Sequence, residues 1–409
     1  MGAVTDESAV ERPARTAAGA DYVAGRLGVR GALVGLLGLW VLFGLLNPRF
    51  LSAVNLTNLA LQVVALGTIA VAVVLVLLIG EIDLSVGAVS GFGAAVMAVL
   101  NVKGGWPAVA AIVAGLAVGL LVGVLHGVLV TRVGIPSFVV TLAGLLGWQG
   151  ALLVVLGDTG TINLIDPTLV GIAGTFLPPV GGWVVVTAVL VTVGASRLRP
   201  GSRGAAPRGA LLEVVAIAVV AYGVVAVFNL DRGIPTAVLV FLVLVVTFDL
   251  LMRRTRFGRH AIAIGSNPDV ARRVGIDVDR VRLGIFALTS SLAVAGGILA
   301  ASRLLAVNQS SGSTDLMLGA VAAAVIGGTS LFGGRGSVWS ALLGALVIGT
   351  VGNGLDLLGV SPAIRSVATG VVLALAVGVE AVARRSGGAR HAPGPSALSL
   401  SFWSSQHRR

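Results

Sequence analysis

The chain has 409 residues, 56% of them hydrophobic and only 11% charged, against about 25% charged in an average soluble domain. No soluble interior accommodates that much apolar side chain, so the composition excludes a soluble globular protein and points to the bilayer. The absence of cysteine removes disulfides, thiolate metal sites and cysteine nucleophiles, while the net charge of +11 leaves nucleic-acid binding open until the charges are placed.

Residues 1–30 are polar and of mixed charge. They are too long and too acidic for the leading region of a signal peptide and read as a cytoplasmic tail. Apolar spans are expected at 31–47, 55–79, 86–102, 107–130, 137–156, 181–195, 210–228, 235–252, 284–306, 315–331, 337–357 and 362–382. The polar stretch GDTGTINLIDPTLVGIAGTFLPPV, after the fifth span, is long enough for an external loop with local structure. The tail 383–409 carries Gly, Ser and Pro and is expected to be a disordered cytoplasmic segment. The expected fold is an all-α polytopic membrane protein of about 12 transmembrane helices, with 31–382 as its membrane domain and both termini in the cytoplasm.

An even number of spans puts both termini on one side. With the termini inside, 23 of the 28 arginines and lysines fall on inner segments. Arg49, Lys103, Arg232, Arg303 and Arg365 remain outside. This is the positive-inside pattern of a bacterial plasma-membrane protein. It accounts for the basic charge, so no nucleic-acid partner is expected. Gly115, Gly119, Gly123 and Gly127 lie four apart on one face of the fourth span. They form a smooth groove for a neighbouring helix, either within one subunit or at a dimer interface. A weak internal repeat aligns LIGEIDLSVG (78–87) with VIGGTSLFGG (325–334). Repeats of this kind accompany transport pathways.

No G-x-x-x-x-G-K-[ST] motif is present and Lys103 is the only lysine, so the chain has no phosphate-cradling loop of its own. Four scattered histidines and no H-E-x-x-H argue against a metal site. No cofactor is expected, and the absence of G-x-S-x-G argues further against an enzyme. No deep acid–base pair of the kind a proton-coupled carrier needs is evident. Glu81 and Asp83, with Ser85, either cap the next helix or form an inner gate or partner contact. Thr141, Gln149 and Asn353 either line a polar path or hydrogen-bond between helices.

The longest polar run between apolar segments is 253–283, with eight arginines. Residues 260–276 read as holding a short helix. Ser266 or Asn267 suits its N-cap and Pro268 its first position. Asp269 favours the N-terminal end and Arg272 and Arg273 the C-terminal end, with Gly275 placed for a C-terminal cap. Val270, Ala271 and Val274 form a small apolar face, fit either for a groove in a partner or for folding back on the chain.

At this loop the sequence resembles the permease subunits of bacterial ABC sugar importers of the ribose/xylose type. The resemblance covers about residues 50–382. It is carried by EIDLSVG (81–87), IPSFVVTLAGLLGWQG (135–150), FGRHAIAIGSNPDVARRVGI (257–276), GGILAASRL (296–304) and AVIGGTSLFGGRGSV (324–338). The xylose-like branch is the closer fit. Ribose-type permeases look shorter, with about ten spans, and RGIPTAVLVF (232–241) resembles the xylose-type segment. The resemblance implies a non-catalytic pore subunit for a monosaccharide such as xylose. Its implied partners are a second permease copy, an ABC ATPase that hydrolyses the ATP, and an extracellular sugar-binding protein. It places ATPase coupling on Gly265, Ser266, Asn267, Pro268, Ala271, Arg272 and Gly275, with a second coupling contact or gate at Glu81, Asp83 and Ser85. Polyols, nucleosides and branched-chain amino acids remain alternative cargoes, and a secondary carrier or a non-transporting membrane protein are the competing classes.

Overall fold

The computed structural model describes residues 31–197, 207–361 and 363–371, with 374 and 378. The two tails lie outside the described residues. The bundle is helical, as the apolar runs require. In chain order it contains α1 (Gly31–Leu46), α2 (Ala53–Leu78), α3 (Val86–Val102), α4 (Ala108–Val128) and α5 (Ser137–Leu156). The outer loop carries β1 (Thr161–Asn163) and α6 (Pro167–Gly174). Next come α7 (Pro179–Arg197), α8 (Pro207–Asn229) and α9 (Thr236–Arg254), then the short α10 (Arg256–Ser266) and α11 (Pro268–Arg273). The chain continues through α12 (Val278–Leu304), β2 (Ala306–Asn308), α13 (Thr314–Ile326) and α14 (Val338–Leu357), and a further helix covers 363–371.

Among the described residues seven helices are long and apolar enough to cross a bilayer. Shorter apolar helices at Gly31–Leu46, Val86–Val102, Pro179–Ala195 and Thr314–Ile326 accompany them. Each of the twelve expected stretches carries helix, but the tenth departs from expectation. It was expected over 315–331 and stops at Ile326, where Gly327 and Gly328 end it. At 13 residues it is about 20 Å long, too short to span. Among the described residues the strands form one antiparallel pair, Thr161 opposite Asn308 and Asn163 opposite Ala306.

The centre is α2. From Gly67 to Ile79 every residue is buried, as expected of a helix that is apolar on all sides. Helix α12 packs along it, with the Thr289 hydroxyl donating to the Ala72 carbonyl at 3.3 Å. The glycine stripe of α4 lies against this centre. A Cβ on Gly115 would meet the Gly93 carbonyl of α3 at 2.9 Å, and on Gly127 the Leu283 Cα of α12 at 2.9 Å. A Cβ on Gly123 would overlap the Phe286 carbonyl oxygen. The stripe thus packs helices within the chain. Helix α1 docks on α14, where Trp40 Nε1 donates to Thr350 Oγ1 and Asn47 Nδ2 to the Leu357 carbonyl.

The outer loop is folded. Asp166 caps α6 by accepting from the amides of Thr168 and Leu169. Hydrogen bonds from the Asn101 side chain and the Thr168 amide hold its carboxyl below the usual carboxylate range. Helices α7 and α8 pair as a hairpin, with Arg197 and Glu213 bridged at 3.0 Å.

Candidate functional site

The polar run 253–283 folds into two helices where one was expected. Thr255 starts α10 by accepting from the Gly258 amide at 3.2 Å. Gly258, Ala261 and Ile264 face inward while Arg256 and Arg259 face out, the pattern of an amphipathic surface helix. Asn267 is the N-cap of α11: its Oδ1 accepts from the amides of Asp269 and Val270, both at 3.0 Å. Ser266, the other expected cap, is the last residue of α10 and donates its hydroxyl to the Ile262 carbonyl. Pro268 opens α11, and Gly275 follows its end at φ 83, with the Ile276 amide returning to the Ala271 carbonyl. Arg272 lies 3.5 Å from Asp269 and 3.9 Å from Asp279, bracing the short helix on its exposed side.

The expected apolar face divides. Val270 and Val274 are 52% and 69% exposed, whereas Ala271 is 2% exposed. Ala271 therefore packs into the chain's own core and does not face a partner. The cause is geometric: one turn of helix resting on a surface turns one side in and the rest out.

Gly265 sits at a three-way backbone junction. A Cβ there would overlap the Leu78 carbonyl oxygen at the end of α2 and lie 2.6 Å from the Gly334 amide nitrogen. That same Gly334 amide donates to the Leu78 carbonyl at 3.1 Å. The two segments of the weak internal repeat, 78–87 and 325–334, therefore meet directly, with the α10–α11 corner seated on both. Arg253 extends the attachment, pairing with Asp249 at 2.8 Å and donating to Ser337 Oγ at the start of α14.

The second candidate set moves inward. Glu81 forms an ion pair with Arg282 at 2.9 Å, with side chains 13% and 21% exposed. Asp83 is 2% exposed and Ser85 fully enclosed. Neither is placed to touch a partner, which corrects the expected second coupling contact for these two residues. Asp83 Oδ1 accepts from the Ser85 amide at 2.8 Å and from its hydroxyl at 2.6 Å. Nearby, Trp148 Nε1 donates to His126 Nε2 at 3.0 Å. No sequence pattern announces this buried group, because His126 stands alone in an apolar run.

The pore candidates are also redistributed. Thr141 is buried and donates to the Ser137 carbonyl at 2.9 Å. Asn353 exchanges two hydrogen bonds with Asn55, at 2.9 and 3.0 Å. Thr141 thus bonds within α5, whereas Asn353 joins α14 to α2, and both side chains are enclosed by the chain's own packing. Gln149 is half-buried on α5. A cavity of about 330 Å³ opens at the opposite end of α2, lined by Asn58, Phe176, Arg232 and Arg303 among others. Arg232 stacks 4.2 Å over the Phe176 ring there.

An apolar helical bundle with a polar helical loop clamped to its glycine turns is the architecture of an integral membrane protein. The chain matches the family model described as branched-chain amino acid transport system / permease component over residues 55–377, and it belongs to that family. It is 35% identical over 351 residues to the xylose transport system permease protein of Escherichia coli strain K12, covering 83% of this chain and 88% of that protein. Identity to the ribose import permease protein of Bacillus subtilis strain 168 is 35%, covering 85% and 91%. The fructose import permease protein of Rhizobium meliloti is 30% identical, covering 83% and 81%. No solved structure matches the chain.

Proposed function

We propose that this chain is the pore-forming subunit of an ATP-driven importer for a monosaccharide, a pentose such as xylose, and that the ATP is hydrolysed on a separate ATPase. The similarity along most of the chain to permeases for xylose, ribose and fructose carries this reading. The short α11, exposed at Val270, Arg272 and Val274, supports docking of the ATPase. Of the expected coupling residues, Ser266, Asn267, Arg272 and Gly275 are exposed enough to touch it, while Gly265 and Ala271 hold the helix in place.

Two copies form the transporter, with a sugar-binding protein delivering cargo from outside. Closure of the ATPases moves α11. The Gly265 junction carries that motion to α2 and to the 327–337 loop, and the membrane helices switch access. The membrane domain spans 31–382, with 253–283 as its coupling loop and both tails cytoplasmic.

The test is reconstitution in liposomes with the cognate ATPase and binding protein. ATP-dependent xylose uptake supports the reading. Uptake without ATP, abolished by a protonophore, overturns it in favour of a secondary carrier. ATP-driven leucine uptake in place of sugar would assign the cargo suggested by the family's description.

A further inference from the structure

Between α12 and α13 the chain turns back into the bundle. Leu305 ends α12 at φ 58 and is the one non-glycine residue with positive φ among the described residues. Side chains rarely adopt that conformation, so packing must hold it. Beyond β2, the turn Asn308–Ser313 rests on the first two turns of α3. A Cβ on Gly87 would lie 3.0 Å from the Gly312 carbonyl and 3.2 Å from that of Ser313, and on Gly91 it would overlap the Ser311 carbonyl. Glycines on α3 thus admit the backbone of this turn.

Its depth follows from helix lengths. Gly91 precedes the outer end of α3, at Val102, by 11 residues, or about 16 Å. Helix α13 starts at Thr314, runs about 20 Å and leads into the loop that meets the inner end of α2. In a hydrocarbon layer about 30 Å thick, the turn lies near the middle.

That depth conflicts with its chemistry if the turn faces lipid. Asn308 and Ser311 spend their side chains inside the turn: Asn308 Oδ1 accepts from the Ser310 amide at 2.9 Å, and Ser311 Oγ from the Asn308 amide at 2.9 Å. Gln309, Ser310, Thr314 and Asp315 are exposed, and their side chains make no hydrogen bond among the described residues. Irregular backbone and polar side chains persist at this depth only beside protein or a water-filled cavity.

We propose that Asn308–Asp315 is one wall of the aqueous path and that Gln309, Ser310, Thr314 and Asp315 contact the cargo, a neutral polyhydroxy solute. The amide donates and accepts, the two hydroxyls do both, and the carboxylate accepts, which matches a set of sugar hydroxyls. Asp315 lies in the first turn of α13, where the helix dipole favours a carboxylate. The cargo assignment rests on the proposed sugar-import function; the aqueous wall does not.

The chain's lack of cysteine makes the test direct. Ser310→Cys and Thr314→Cys are made singly in the full chain, with Leu146→Cys on the apolar face of α5, a side chain 72% exposed, as the lipid-facing reference. A membrane-impermeant thiosulfonate is applied to both faces of vesicles. Residues 310 and 314 should label at least about ten-fold faster than 146, since thiosulfonates react with the thiolate, which needs water. D-xylose at saturating concentration should slow labelling of residue 314 several-fold, and leucine should not. Labelling as slow as at 146 overturns the wall, even where ATP-driven xylose uptake is normal. Fast labelling slowed by leucine and not by xylose overturns the polyhydroxy assignment. Labelling needs neither ATP nor cargo, so a failure of sugar transport is read separately in the uptake assay.

Discussion

The Glu81–Arg282 pair ties the 79–85 turn to the first turns of α12, shortly after the exposed helix α11. At 2.9 Å and an effective dielectric of about 20, the bare attraction is about 6 kcal/mol. Desolvation of both groups offsets most of that. The remaining exposure, 13% for Glu81 and 21% for Arg282, lowers it further by admitting water. A net coupling of about 2 kcal/mol remains, roughly a thirty-fold bias toward the joined state. Glu81→Arg and Arg282→Glu each place like charges in this space. Each single variant should lower the unfolding temperature of the solubilised chain by several degrees and cut ATP-driven uptake at least ten-fold. The double variant restores opposite charges and should recover most of both. Singles that unfold at the parent temperature, or a double no better than the worse single, would refute the reasoning.

Other consequences follow from the same geometry. Gly265→Ala drives a methyl group into the Leu78 carbonyl. It should cost about 1–3 kcal/mol, seen as a lower unfolding temperature together with ATP hydrolysis poorly coupled to uptake. Val270→Glu alters an exposed side chain and Ala271→Glu an enclosed one. The first should leave the permease folded while weakening co-purification of the ATPase; the second should reduce the folded yield of the permease itself. Asn353→Leu leaves Asn55 Oδ1 without its partner, at about 1–3 kcal/mol, whereas Asn55→Leu with Asn353→Leu removes both polar groups and should cost less in thermal unfolding.

Much of this protein is local in origin, and that part was readable in the sequence. Apolar runs mark helices because the bilayer requires internally paired backbone. The start of α11 was legible because Asn267 and Pro268 act on residues within one turn of themselves. The glycine stripe of α4 announced a close helix contact by its four-residue spacing.

What the sequence left open depended on distant neighbours. Whether Ala271 faced outward or inward was decided by the surface on which α11 rests. Thr141 carries the same hydroxyl whether it lines a path or bonds within its own helix. Asn353 found its partner at Asn55, 298 positions away, a pairing that no local pattern encodes. Likewise, Asn308–Asp315 read as the short polar link and first turn of another span. Only packing against Gly87 and Gly91 sinks it into the bundle, because burial depth is a property of the neighbours a segment meets. The sequence alone determined which segments enter the membrane and where the short helix α11 begins. The tertiary structure decided which side chains those helices spend on one another and which they leave facing water.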